Sequence, residues 1–189
     1  KITTSLFGEI EVDETKVITF AQGIIGFPEL KRFMLIHDSE DESKKITWLQ
    51  SVDEAGYALP VIDPLVVDEE YNPEIEDDLL IPLDIKDLSE VLVVTTVTVP
   101  SDLTKMTANF KAPIIINAAN LKAAQIIVED EKYLVNNNVL IPRDETEILV
   151  NKAYELIKNN ENKNLDCFGV NVQTNSIVSF FIPPSCEET

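Results

Sequence analysis

The chain has 189 residues, 44% of them hydrophobic, and it carries 34 acidic against 15 basic residues, for a net charge of −19. This length suits one domain, or one domain with an appendage. A surface so acidic repels phosphate backbones and argues against direct binding of nucleic acid. It favours a basic protein partner, although the same acidity can also serve solubility alone.

Other functional classes are disfavoured by what the composition lacks. No apolar run reaches the ~20 residues that cross a bilayer, and the first residues have no apolar signal core. The two cysteines, Cys167 and Cys186, stand near the end, and the single histidine, His37, has no companions at zinc-ligand spacing. The sequence therefore predicts a cytoplasmic protein without membrane contact, metal or cofactor.

Short strands and turns dominate the first forty residues. Residues 3–12 predict one strand or a pair, and residues 17–20 and 33–37 predict one strand each. A loop with two glycines at 22–27 precedes a stretch, 28–32, that is compatible with one helical turn. The loop is not a phosphate cradle, because no lysine, serine or threonine follows its second glycine.

A hairpin holds the only tryptophan of the chain. Residues 46–52 and 57–62 are rich in β-branched and aromatic side chains and enclose a polar turn. Pro60 lacks an N–H, so the return strand lies at an edge or carries a bulge there. A lone hairpin is marginal in water, so other elements must cover Trp48.

An acidic run follows the hairpin at residues 68–78, where seven acids stand without a base. Charge runs usually face water, so a solvated loop or short helix is one interpretation. A landing patch for a basic partner is the other.

The strongest predicted strand is residues 91–99, which are almost all β-branched. Further strands are predicted at 112–117 and 123–128. About eight short strands before residue 130, without a long helix, predict a mainly β protein built as an antiparallel barrel or sandwich.

Several of these stretches, taken in order, resemble the FliW family of flagellar assembly factors over roughly residues 3–130. The stretches that carry the resemblance are 7–12, 20–27, 48–52, 59–64, 97–100 and 106–117. The family loop usually has proline where this chain has Ile25.

The resemblance implies a small antiparallel β-barrel without catalytic activity that acts in the cytoplasm. It further implies binding to flagellin and, when flagellin is absent, to the basic RNA-binding regulator CsrA. Binding to CsrA would act allosterically and relieve repression of flagellin synthesis.

Partner-contact residues are predicted by position alone, at the ends of strands, where interaction loops usually lie. The charged candidates are also predicted for electrostatic contact. The set is Gln22, Gly23, Ile24, Gly26, Phe27, Asp63, Pro64, Asp68, Glu69, Glu70, Glu74 and Glu76. Trp48 and Phe110 are predicted for the core instead.

The last part of the chain is predicted as an appendage, residues 136–189, to a barrel domain of residues 1–135. A helix is predicted at about 144–159 and strands at about 170–182. Residues 139–150 are similar to the segment before the cofactor domain of release-factor glutamine methyltransferases. The glycine-rich cofactor loop and the Asn-Pro-Pro-Tyr motif are missing, which predicts an inactive remnant. A barrel that binds a small ligand is a further alternative.

Overall fold

The computed structural model describes residues 1–36, 46–99, 106–134, 139–140 and 180–181. The strands are β1 (Ile2–Thr4), β2 (Gly8–Ile10), β3 (Ile18–Phe20), β4 (Arg32–Ile36), β5 (Ile46–Ser51), β6 (Tyr57–Ile62), β7 (Val91–Thr98), β8 (Thr107–Ala108), β9 (Ile114–Asn117), β10 (Lys122–Gln125), β11 (Val139–Leu140) and β12 (Phe180–Phe181). The helices are α1 (Pro64–Val67), α2 (Asp77–Leu80) and α3 (Glu131–Leu134), with 3-10 helices at Glu14–Lys16, Ile81–Leu83 and Leu88–Glu90. These short helices among many strands confirm the predicted mainly β class.

Seven strands form a closed barrel in the order β7, β9, β10, β3, β4, β5, β6, with β6 pairing back to β7. Six of the seven pairings are antiparallel, but β10 lies parallel to β3, with Ala123 opposite Phe20. The predicted β-barrel is confirmed, and among its seven pairings this one departs from the antiparallel arrangement. Strand directions that alternate cannot close a ring of seven, so one neighbouring pair has to be parallel.

The barrel interior is filled by apolar side chains that come from each of its seven strands. Alternation along the strands decides the face: Ile114 and Ile116 of β9 lie in this cluster, whereas Ile115 between them packs outside. Two residues of the β3–β4 connection, Ile24 and Leu30, join the interior cluster. Burial of each such Leu, Ile or Phe contributes about 1.5–3 kcal/mol.

A second layer covers part of the outer surface. Tyr71 and the partly buried Ile75, which follow α1, pack against an outer cluster that includes Ile62, Val97 and Phe110. Further along, Leu83 lies with Ile115 and Ile126 in a separate outer cluster. The connection from β6 to β7 therefore wraps the outside of the barrel with buried anchors.

The predicted hairpin is confirmed as β5 and β6, in which Trp48 lies opposite Pro60. On its other side β6 pairs with β7 only at Val61 and Ile62, and with β12 at Tyr57 and Ala58. Pro60 lies between these two pairings, where its missing N–H leaves no ladder bond unmade. As a whole, β6 is therefore an interior strand. At Pro60 alone it has a paired neighbour on the β5 side only, which resembles the predicted edge position.

The aromatic residues predicted for the core differ in depth. Phe110 is fully buried, as predicted. Trp48 lies on the outer face of β5 and is only partly buried, because its cover is the ring of Phe7 from the β1–β2 hairpin, at 6.0 Å between centroids.

Three further predictions differ from the structure or fall outside it. No helical turn forms at residues 28–32: residues 28–29 make a turn, and Arg32 already belongs to β4. Before residue 130 the described residues form ten strands rather than about eight, because the 3–12 stretch forms the pair β1 and β2 and the region 106–108 adds β8. The predicted helix at 144–159 and the predicted strands at 170–182, apart from Phe180–Phe181 of β12, lie outside the described residues.

Candidate partner-binding surfaces

The 22–27 loop is a tight backbone turn between β3 and β4. Ile24 and Phe27 exchange backbone hydrogen bonds, with N···O distances of 3.3 and 2.8 Å. Gly23 adopts φ of +71°, and a Cβ at this position would stand 2.6 Å from the carbonyl oxygen of Pro28. Only glycine meets both conditions, which explains why the sequence has one here.

Contacts from the barrel fix this loop in place. The ring of Phe27 packs against Tyr57 at 4.9 Å between centroids, and Ile25 N donates to Gln125 Oε1 at 3.1 Å. Next to the loop, Asp53 Oδ2 accepts from the backbone N–H groups of Lys31 and Arg32, both at 2.9 Å. The end of the barrel formed here is therefore rigid.

Burial narrows the predicted contacts of this loop. Ile24 is 1% exposed and Gly23 is buried, so both serve the fold and neither reaches a partner in this conformation. Gln22 and Gly26 are exposed, and Phe27 is partly exposed. Partner contact from this loop therefore rests on these last three residues.

The acidic segment, defined here as residues 63–78, begins at a helix cap. Asp63 Oδ1 accepts from Leu65 N at 2.9 Å and so satisfies one of the free N–H groups of α1. Pro64 occupies the first helical turn and is buried. Pro64 is therefore a structural residue, whereas Asp63 caps the helix and remains exposed.

The five other predicted acids of this segment face outward. Asp68 is partly buried, while the rest of the set is exposed, namely Glu69, Glu70, Glu74 and Glu76. The ion pair described for this segment joins Asp68 Oδ2 to Lys132 Nζ at 3.9 Å. At that distance and exposure the pair offsets little of the local negative potential.

An aromatic cluster of Tyr71, Phe110 and Tyr133 holds the acidic segment on the barrel. The ring of Tyr71 packs at a tilt against Phe110 and Tyr133, at 4.6 and 4.9 Å between centroids, and its hydroxyl donates to the carbonyl oxygen of Phe110 at 2.8 Å. Burial, with a smaller contribution from Tyr133, raises the pKa of the Tyr71 hydroxyl, which keeps it protonated as a donor. The backbone that carries the exposed acids is therefore held against the barrel by these aromatic contacts.

The structure does not bring the predicted contacts into one site. Phe27 packs on Tyr57 at the start of β6, whereas Asp63 follows the end of the same strand. At about 3.3 Å per residue, the two ends of β6 are roughly 17 Å apart. The 22–27 loop and the acidic segment are therefore two separate candidate surfaces.

One exposed feature was missed by the sequence reasoning. Leu79, Ile81 and Leu88 are 44%, 69% and 80% exposed, and we call these three side chains the 79–88 patch. Residues 81–88 are compatible with a turn and a short helix in sequence, and none of these three residues was predicted as a partner contact. No local sequence signal would have found this feature, because Leu83 in the same stretch is equally apolar and is 2% exposed.

The described part of the chain offers neither a metal-binding cluster nor a helix that could cross a membrane. Among the described residues, no three His, Cys, Asp or Glu side chains are grouped so that they could hold a metal ion. The helices in that part of the chain are all too short or too polar to cross a membrane.

Comparison with known proteins identifies the family of this chain. The FliW protein family matches residues 1–139. The flagellar assembly factor FliW of Lachnoclostridium phytofermentans is 54% identical over 136 residues, which cover 71% of this chain and 86% of the relative. That of Lachnospira eligens is 48% identical over 138 residues, which cover 71% of this chain and 91% of the relative.

A solved structure agrees with the sequence relatives. A crystal structure of the flagellar assembly factor FliW superposes with a TM-score of 0.64 at 30% identity, and the match covers 75% of this chain and 94% of the other. The relatives are named as assembly factors rather than as enzymes. The chain therefore belongs to the FliW family of flagellar assembly factors.

Proposed function

We propose that this protein binds flagellin in the cytoplasm and, when free of flagellin, binds the RNA-binding regulator CsrA. Bound CsrA would lose RNA affinity, which relieves repression of flagellin synthesis. The observation that carries the proposal is the family match over residues 1–139, which spans the whole barrel. The protein would act by occupying other proteins, as expected for an assembly factor.

The charge distribution supports a basic partner. Residues 1–135 contain 26 acidic and 11 basic residues. The exposed acids of the acidic segment lie on a backbone that Tyr71 holds against the barrel. Binding of a partner therefore costs little backbone conformational entropy. Such a surface speeds encounter with a basic protein and disfavours RNA at the same place.

The regulatory logic requires that the two partners oppose each other. If flagellin weakens binding of CsrA by some factor, CsrA must weaken binding of flagellin by the same factor. The allosteric part requires that the protein binds the RNA-free state of CsrA more tightly than the RNA-bound state.

A competition titration tests both points. Purified protein is titrated with flagellin and with the CsrA dimer separately, and then with CsrA after saturation with flagellin. We expect binding to each partner alone and weaker binding of CsrA in the presence of flagellin. Failure to bind either partner would remove the proposal.

Salt provides the second arm of this test. The association rate with CsrA should fall as ionic strength rises from about 50 to 500 mM, because the Debye length shrinks over that range. An association rate that stays constant would remove the electrostatic part alone.

The described residues do not support either alternative function, the barrel that binds a small ligand or the methyltransferase-related segment. The barrel interior holds packed side chains such as Phe33, Leu49 and Leu59, each 0% exposed, which leaves the small-ligand alternative without support. The segment similar to a methyltransferase lies outside the described residues except for its start in β11.

We also propose the division into a barrel domain, residues 1–135, and an appendage, residues 136–189. The family match ends close to this boundary, at residue 139. Val139–Leu140 pairs with β8, so these two residues of the appendage join the sheet.

A further inference from the structure

We propose that the edge of β6 at Tyr57 and Ala58 is a strand-acceptor site, and that β12 fills it as a ligand supplied by the chain itself. The appendage thereby controls whether an extended, β-prone segment of another protein can add to the barrel at this edge. The proposal goes beyond the partners named in the proposed function and does not rest on them.

The backbone groups of β6 point alternately toward β5 and away from it. Tyr57 N donates to the carbonyl oxygen of Glu54 at 3.0 Å, and the Tyr57 carbonyl oxygen accepts from Gln50 Nε2 at 3.0 Å. Both groups of Tyr57 are therefore used within the β5–β6 hairpin. Because successive residues of a strand direct their N–H and C=O to opposite sides, Ala58 directs its own groups away from β5.

Pro60 ends the ladder between β6 and β7. Among the described residues, β7 pairs with β6 only at Ile62 and Val61. After Ile62, the next residue of β6 that faces away from β5 is Pro60, which has no N–H to donate. The N–H of Ala58 lies beyond this break, and Ala58 is 2% exposed. It needs an acceptor other than β7, because a buried N–H is costly to leave unpaired.

The strand β12 supplies this partner from near the end of the chain. It runs antiparallel to β6, with Phe180 opposite Ala58 and Phe181 opposite Tyr57. In this register Phe180 forms the hydrogen-bonded pair with Ala58, whereas the N–H of Phe181 points away from β6. The described pairing is two residues long, so a longer extended segment can compete with it for the same edge.

The barrel is complete without β12. The ring of seven strands is closed by the pairing of β6 with β7, and the family match ends at residue 139. Residues 141–179 separate β12 from β11 in the chain. Such a covalent link makes the pairing of β12 intramolecular, and a free segment competes against the local concentration that the link imposes. The addition of β12 to a finished barrel is thus the arrangement known as strand addition.

The surroundings of this edge favour an apolar occupant. The ring of Phe27 packs against Tyr57 at 4.9 Å between centroids and is partly exposed, so an apolar side chain flanks the edge. Residues 176–182, which include β12, are mostly apolar and β-prone. In strand addition the backbone bonds supply affinity and the neighbouring side chains supply selectivity.

A labelled peptide of residues 174–184 tests the site in the full-length protein. Phe180→Pro removes the N–H that faces Ala58, whereas the matched control Phe181→Pro removes one that points away from β6. We expect the peptide to bind Phe180→Pro at least about tenfold more tightly than wild type, because the tethered strand no longer competes. The control should bind it like wild type. Fluorescence anisotropy measures binding, and circular dichroism checks that both variants are folded.

Amide exchange at Ala58, measured by NMR, reports on the same edge without a peptide. The Ala58 N–H should exchange at least about tenfold faster in Phe180→Pro than in Phe181→Pro. A peptide that itself carries Phe180→Pro should bind none of the three proteins. Equal or absent binding of the unmodified peptide across the three proteins, unchanged exchange at Ala58, or binding of the proline-containing peptide would overturn the proposal.

Discussion

The 22–27 loop and the 79–88 patch are both fixed surface segments, but they are held in opposite ways. The loop is fixed from within, by a left-handed glycine and by backbone bonds between Ile24 and Phe27. The patch is fixed from outside, by the amides of Asn117 and Asn120. The loop buries the side chain of Ile24 in the core, whereas the three apolar side chains of the patch are exposed to water. Rigidity alone therefore does not mark a binding surface, and the difference lies in what is left exposed.

The largest expected loss of stability comes from a substitution in the 22–27 loop. Gly23→Ala places a methyl group 2.6 Å from the Pro28 carbonyl oxygen at a φ of +71°, so we expect a loss of about 2–4 kcal/mol in the free energy of unfolding. Urea denaturation measures it. Gly26→Ala is the matched control, because its φ of +90° is also unfavourable but nothing lies within 4 Å of the added carbon. An equal loss in both variants would show that the close approach is unimportant.

An intermediate effect tests the support of the acidic segment. Tyr71→Phe keeps the ring but leaves the buried Phe110 carbonyl oxygen without its donor, at an expected cost of about 1–3 kcal/mol in the free energy of unfolding. Tyr133→Phe is the control, since its hydroxyl accepts from Asn72 N, on an exposed residue, at 3.2 Å. A larger loss in the control would contradict the assignment of Tyr71 as the main anchor. Thermal denaturation of both variants decides the matter.

The smallest expected effect concerns the entry to the acidic segment. Asp63→Ala removes the acceptor for Leu65 N and should cost about 1 kcal/mol in the free energy of unfolding, whereas Asp63→Asn keeps a capping oxygen and should cost less. Chemical denaturation of the two variants in parallel provides the comparison. If alanine and asparagine behave alike, the cap contributes nothing measurable.

Local sequence patterns predict those strands and turns whose structure depends mainly on adjacent residues. The β5–β6 hairpin and β7 are confirmed, because β-branched and aromatic residues bounded by turns have few other structures to adopt. The parallel pair of β10 and β3 has no local signal, since it follows from the number of strands in the ring.

The candidate surfaces show the same limit. Charge predicts the outward direction of Glu69 and Glu74, because burial of unpaired carboxylates is costly. Loop position and apolar identity mislead once each: Ile24 was placed on a surface because it lies in a loop and is buried, whereas Ile81 is apolar and is exposed. Their depth depends on tertiary packing against distant residues, which a single sequence does not reveal.

The parallel pair has a consequence for the order of events during synthesis. Phe20 of β3 pairs with Ala123 of β10, which is synthesised about a hundred residues later. Until that partner has been translated, the edge of β3 offers unpaired amides to any neighbouring nascent chain. Closure of the ring is thus expected to be a late and slow step, and the stretch of translation before it is the period in which this protein most needs protection from aggregation.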